Sequence, residues 1–378
     1  MTALYIHIPF CKSKCHYCAF NSYADKEGLF LPYLSALKKE LQSTAENLSV
    51  YDRKPLQTIF FGGGTPTVLP SDGLVDVLAF CADLFGIADG AEISTEANPE
   101  TVDFAYLQAL RGGGFNRISF GVQSLADADL QNLGRPHRAA KAVNVINAAR
   151  QAGFENLNFD LMSGLEGQTL SQWKNVLQKA LELSPNHLSV YSLTPEPGTP
   201  LYEKYIEDEV RLPEDELSLE MDYITKDLCD KTGLVQYETS NYAKHGYECS
   251  HNINYWQNNS YLAAGAGAVS YIHGRREKRV DSPELYIQSV NAGSVTMVES
   301  EQLDSETSFR ETVIVGLRMI RGVSLSRLKK RYDIDLENYY GKTLTRLTSQ
   351  GLTEIVDDHL RLTAQGRPLT NKVLEELV

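Results

Sequence analysis

The chain predicts an α/β fold built on a parallel sheet, and three observations predict it. Strand and helix patterns alternate six times over the first 200 residues. Polar and glycine-rich segments follow the strands, as in folds that collect function at strand C-terminal ends. With 378 residues, 42% of them hydrophobic, the chain exceeds one ordinary domain and can bury a sizeable core. The sheet is either doubly wound or curled into a full or partial barrel.

The elements follow in order. Residues 4–8 form a short apolar run, expected as the first strand, and a polar loop with three cysteines follows it. A helical pattern covers about 30–48. Residues 58–61 read as a strand running into Gly62-Gly63-Gly64, and Ser71 is expected to cap a helix reaching about Leu84. Residues 92–97, 117–122, 157–162 and 187–193 are further strands, with helices at about 102–111, 138–152 and 170–183. Gly112-Gly113-Gly114 lies between a helix and a strand and reads as a helix-ending turn.

Pro195, Pro197 and Pro200 break this pattern and mark a boundary. The expected organisation is a core over 1–200, an intermediate segment over 201–302 and a third unit over 303–378. That unit reads helix, helix, helix, hairpin, helix, a mainly helical, winged-helix-like domain. Its twelve Lys and Arg residues nearly balance eleven Asp and Glu. A DNA-reading wing is more basic, so a structural or protein-contact role is expected.

Composition excludes several function classes. Thirty-six Lys and Arg against 49 Asp and Glu give a net charge of −13, which repels phosphate backbones, so no nucleic-acid partner is expected. The opening Met1-Thr2-Ala3-Leu4-Tyr5-Ile6-His7 shows no signal-peptide pattern. No run of about 18 apolar residues offers a membrane span. The expected location is the cytoplasm, where six cysteines stay reduced rather than forming a disulfide scaffold. Cys81 and Cys229 sit among apolar helix residues and read as core, whereas Cys249 lies two residues before His251.

Cys11-x3-Cys15-x2-Cys18 concentrates thiolates in one loop, and thiolates are natural ligands of iron–sulfur clusters and zinc. A structural zinc site wants a fourth ligand, and no second CxxC or His pair lies at suitable spacing. Three cysteines on a four-iron cluster leave one iron open instead. Cys-x3-Cys-x2-Cys with Tyr17 before the last cysteine resembles the signature of the radical S-adenosylmethionine (SAM) family. The resemblance implies a partial (β/α)6 TIM-like barrel and one 4Fe-4S cluster held by Cys11, Cys15 and Cys18. It also implies SAM at the open iron and a route to a 5′-deoxyadenosyl radical.

Other positions match that family in order. Gly62-Gly63-Gly64-Thr65-Pro66 is similar to the glycine motif that meets the methionine amine, which places Gly63, Gly64 and Thr65 at the cofactor. A nucleotide P-loop is excluded because no Gly-Lys-Ser/Thr follows. The resemblance further implies that Tyr5 and Tyr17 line the cofactor pocket and that Glu96 contacts SAM. Gln123 and Arg135 would bind its polar groups, Asp160 its ribose, and Thr194 would lie by the adenine.

The resemblance runs over nearly the whole chain, within the branch that contains oxygen-independent coproporphyrinogen III dehydrogenase. That enzyme carries a fourth cysteine two residues after the third, where Phe20 stands here, and its N-terminal extension is longer than the ten residues before Cys11. His251-Asn252-Ile253-Asn254-Tyr255-Trp256 reads H-N-x-x-Y-W and resembles the haem-binding motif of HemW-type haem chaperones. Imidazole is a good axial ligand for haem iron, and Tyr and Trp offer flat faces to a porphyrin.

The resemblance therefore implies a haem chaperone, with a radical SAM coproporphyrinogen III dehydrogenase of porphyrin biosynthesis as the alternative. It implies His251 as haem ligand and transfer of haem to apo-haemoproteins, respiratory ones at the membrane surface, with cluster-dependent homodimerisation.

Overall fold

The computed structural model describes residues 2–49, 52–294 and 296–378. Six strands form its centre: β1 (Ala3–Ile8), β2 (Leu56–Gly63), β3 (Ile87–Ala97), β4 (Arg117–Gln123), β5 (Asn156–Ser163) and β6 (His187–Ser192). They lie side by side in chain order, all parallel. Between them run α1 (Phe30–Asn47), α2 (Ser71–Phe85), α3 (Phe104–Gly112), α4 (Asp127–Asn132), α5 (Ala139–Gln151) and α6 (Leu170–Glu182). Each strand sends one row of apolar side chains outward beneath these helices. Ile59, Phe61, Ile118, Phe120, Leu157 and Phe159 meet Leu37, Leu74, Leu107, Ile146 and Trp173 in one continuous core.

One cap differs from expectation. Ser71 is the first residue of α2, Pro70 occupies the cap position, and no side chain caps the helix. Proline suits that end because the N–H it lacks has no partner in the first turn.

The intermediate segment extends the sheet at both sides. After α7 (Pro200–Ile206) and α8 (Asp215–Lys231), β7 (Val235–Gln236) and β8 (Asn241–Ala243) add antiparallel strands beyond β6. After α9 (Ser250–Trp256), β9 (Tyr261–Ala264) pairs parallel with β1. Then β10 (Val269–Ile272), β11 (Arg275–Arg279), α10 (Pro283–Asn291) and β12 (Met297–Gln302) complete a twelve-stranded sheet. β12 and β7 are its edges, so the barrel is open. These strands were not legible in the sequence because they are short and, in Arg275-Arg276-Glu277-Lys278-Arg279, held by cross-strand charges rather than apolar alternation.

Residues beyond 303 build a second core. α11 (Ser305–Gly316), α12 (Leu325–Tyr332), α13 (Leu336–Ser349) and α14 (Thr370–Glu375) surround Phe309, Leu328, Leu344, Leu360 and Val373. β13 (Val323–Ser324), β14 (Thr353–Val356) and β15 (His359–Leu362) form the small winged sheet, in the order β13-β15-β14. Among the described residues no helix is long and apolar enough to cross a membrane.

Candidate functional site

A cavity of about 560 Å³ opens at the C-terminal ends of the six parallel strands. The chain builds its wall in layers. β1 ends in the cysteine loop, which is tied at its base by Cys11 N–H donating to the Tyr23 carbonyl (3.0 Å) and Tyr23 N–H to that of Pro9 (2.8 Å). The next strand end zips onto it: Gly64 N–H donates to the Ile8 carbonyl (2.9 Å) and Thr65 N–H to that of Phe10 (2.7 Å).

No side chain fits at those glycines. A Cβ on Gly64 would stand 2.5 Å from the Phe10 carbonyl oxygen, and one on Gly63, where φ is +116°, would strike the His7 ring.

Cys11, Cys15 and Cys18 all line the cavity. Cys11 Sγ lies 3.7 Å from Thr65 Oγ1, and Arg135 Nη1 donates to Cys15 Sγ at 3.4 Å. Burial raises the Cys11 and Cys18 thiols, so metal binding there releases protons. Among the described residues no three His, Cys, Asp or Glu side chains gather tightly enough to chelate a single ion. Three thiols spread around one cavity instead suit a four-iron cluster, in which each cysteine holds a different iron. The donor set therefore fits the cluster.

The polar wall fits a charged organic cofactor. Glu96 Oε2 accepts from Gly63 N–H at 3.1 Å, beside the glycine loop. Burial, with Asp160 nearby, pushes its pKa up to about 8. Asp160 is raised too, again by burial, although Ser119 Oγ (2.9 Å) and Asn158 Nδ2 (2.7 Å) donate to its two oxygens. Two desolvated carboxyls facing one cavity call for a cation, and perturbed carboxyls of this kind mark functional sites.

Arg135 spans the wall, its Nη2 donating to the Gly121 carbonyl at 2.7 Å while its buried Nε has no partner among the described residues. Gln123 adopts a left-handed φ of +63° where the β4–β5 register shifts, and that strained backbone turns it to the cavity. Tyr17, Thr65 and Thr194 complete the expected wall.

Two expected residues do not line the cavity itself. Tyr5 sits beneath the cavity lining, its hydroxyl 3.0 Å from His7 Nδ1 and its ring stacked on Phe60. His251 is at the opposite end of the barrel, on α9, and only 1% exposed. Its Nδ1 pairs with Thr58 Oγ1 and its Nε2 with the Tyr255 hydroxyl, both at 2.9 Å, and its ring stacks on Phe60. Burial lowers its pKa to about 3, so the ring is neutral. Both ring nitrogens, expected as the source of an axial haem ligand, are engaged in hydrogen bonds here, to Thr58 and Tyr255.

Sequence reasoning also missed the polar column inside the barrel. Asp160 leads through Asn158 to His187 Nδ1 (2.7 Å), and His187 Nε2 pairs with the Tyr237 hydroxyl at 2.8 Å. Tyr237 in turn accepts from Cys249 N–H at the head of α9. Buried Arg117 stands in the same interior. Cys249 Sγ donates to Glu92 Oε1 (3.4 Å), which makes Cys249 part of that floor. The missed signal is alternation: Asn158 and Asp160, and His187, Ser189 and Tyr191, put polar side chains at every second strand position.

Comparison with known proteins agrees with this geometry. Residues 5–180 match the Radical SAM superfamily model, and 303–369 match the HemN C-terminal domain model. The heme chaperone HemW of Bacillus subtilis (strain 168) is 37% identical, covering 99% of this chain and 98% of its own. Heme chaperone HemW of Escherichia coli (strain K12) is 33% identical over 99% and 97%, and that of Haemophilus influenzae (strain Rd) is 41% identical over 72% and 70%. In fold, the chain superposes on the solved structure of coproporphyrinogen III oxidase (HemN) from Escherichia coli, a radical SAM enzyme. The TM-score is 0.85, at 24% identity over 100% of this chain and 89% of that one.

Proposed function

The chain belongs to the radical SAM superfamily and, within it, to the family of heme chaperones HemW; from that membership we propose that it binds haem and hands it to apo-haemoproteins. The observation that carries the reading is full-length similarity to relatives of that name, joined to a cavity whose donors suit both cofactors. In this reading Cys11, Cys15 and Cys18 hold a 4Fe-4S cluster. Gly63, Gly64, Thr65, Glu96, Gln123, Arg135, Asp160 and Thr194 hold SAM, with Tyr17 closing the cluster side. When bound, the two cofactors supply one-electron chemistry at the cavity.

The chain's own residues do the positioning. The side-chain-free Gly63 and Gly64 let a ligand approach backbone, Glu96 meets its positive end, and Asp160 is presented by Ser119 and Asn158 for hydroxyl groups. Phe20 stands where the dehydrogenase carries its fourth cysteine, which favours the chaperone over porphyrinogen decarboxylation. The recipients proposed are respiratory haemoproteins, and the three units 1–200, 201–302 and 303–378 are proposed as working parts of one chaperone.

Anaerobic haem titration followed by transfer to an apo-haemoprotein tests the reading. Saturable haem uptake and transfer are expected, without porphyrinogen decarboxylation. Protoporphyrinogen formed from coproporphyrinogen III, together with 5′-deoxyadenosine, would overturn it.

A further inference from the structure

Haem has a flat apolar macrocycle and two carboxylates at one edge. A site that takes it up and gives it away needs an accessible aromatic surface and nearby cations. The floor helix α9 offers neither, because its histidine is sealed in. The mouth of the cofactor cavity offers both.

Phe20, in the cysteine loop, is 70% exposed and lines the cavity. A lone exposed Phe elsewhere on a surface is unremarked; this one stands two residues after Cys18. Tyr191, at the end of β6, lines the same cavity and is 42% exposed. An aromatic rim and an aromatic wall thus frame one opening.

Charge sets the direction. Lys12 and Lys14 are exposed on the loop that carries Phe20, and both line the cavity. Lys14 Nζ donates to the carbonyls of Phe20 and Ser22, each at 3.4 Å, while Lys12 has no ion pair or hydrogen bond among the described residues. Glu196, exposed in the loop after β6, lines the cavity as well and repels carboxylates from its side.

We propose that haem docks at the cavity mouth, its macrocycle against Phe20 and Tyr191 and its propionates toward Lys12 and Lys14. The placement rests on the haem-chaperone reading above. It puts the haem over the cofactor cavity, at the opposite end of the barrel from the HNxxYW helix.

The test is anaerobic haem titration, by absorption, of cluster-reconstituted full-length protein and of the variants Phe20→Ser, Lys12→Glu and Val298→Ser. Val298 is an exposed control on the β12 edge. Phe20→Ser is expected to weaken haem binding about tenfold, losing an aromatic contact. Lys12→Glu should weaken it several-fold and reduce its salt dependence. Val298→Ser should leave it unchanged, and iron content should equal wild type in all three.

Wild-type affinity in Phe20→Ser, with saturable binding in both, would overturn the placement and leave the haem-chaperone reading standing. No saturable uptake by the wild type would overturn that reading itself. An affinity loss only as large as that of Val298→Ser would overturn the placement also.

Discussion

Glu40 on α1 accepts from Arg279 Nε of β11 at 2.8 Å, with both side chains buried and the two residues 239 positions apart in the chain. The same carboxylate accepts from Gly265 N–H (2.8 Å) and the Tyr286 hydroxyl (2.5 Å). One side chain thereby ties a barrel helix to β11, α10 and the turn after β9. Its donors satisfy it, which lets an ion pair persist in the core. Glu40→Ala would strand a buried guanidinium and is expected to cost about 3–5 kcal/mol. Denaturant unfolding measures this, and a loss below 1 kcal/mol would mean the pair is idle.

The thiols divide into two sets. Replacing Cys11, Cys15 or Cys18 by Ala should abolish cluster assembly, read as iron and sulfide content after anaerobic reconstitution. Cys81→Ala and Cys229→Ala should leave iron content at wild-type level, because those thiols are buried in helix packing. Full iron loading in any of the first three variants would contradict the ligand set.

Glu96 sets a pH dependence. Its folded pKa of about 8 lies above the ordinary carboxyl value of 4.5, so the folded state holds a proton that the unfolded chain releases. Its contribution to stability is full below pH 4.5 and is lost as pH rises toward 8. Glu96→Gln should therefore raise the Tm of cofactor-free protein at pH 8 by on the order of a few degrees. SAM binding should move oppositely, because a cation needs the carboxylate. Wild-type affinity should rise by up to about tenfold per pH unit below 8, and the variant should be weaker and flat. Equilibrium dialysis across pH 6–9 decides; equal slopes would exclude Glu96 as the titrating group.

His251 has the reverse sign. Its folded pKa of about 3 lies below the free value of 6.5, so the unfolded chain binds the extra proton between those limits. The stability it supplies is complete above pH 6.5 and lost as pH falls toward 3. His251→Ala should cost about 2–4 kcal/mol at neutral pH, from two buried hydrogen bonds and the contact with Phe60. Haem titration of the folded variant should match wild type. A stable variant that has lost haem would restore His251 as a ligand.

Most of the barrel was legible because β-branched and aromatic runs alternate with amphipathic helices, and the cofactor wall was legible because its residues belong to strand-end motifs. Glu96, Gln123, Arg135 and Asp160 do converge on one cavity. Strand β10 was hidden because it spans only four residues, and β11 because its charges carry no apolar period. The His251 hexapeptide reads two ways for a physical reason: imidazole, phenol and indole suit a buried hydrogen-bonded cluster as well as they suit a porphyrin. Arg117 and His187 gave no local signal, since the groups around them come from distant parts of the chain.

The floor helix is also where the C-terminal core is clipped on. Arg331 donates to the carbonyls of Gln257 (3.2 Å) and Asn258 (2.6 Å), just past α9, and Ile320 N–H donates to the Tyr237 carbonyl. The chain therefore has a handle and an opening at opposite poles. A protein that grips residues beyond 303 holds the molecule by its base, and the cavity then faces outward, free to receive cargo or surrender it.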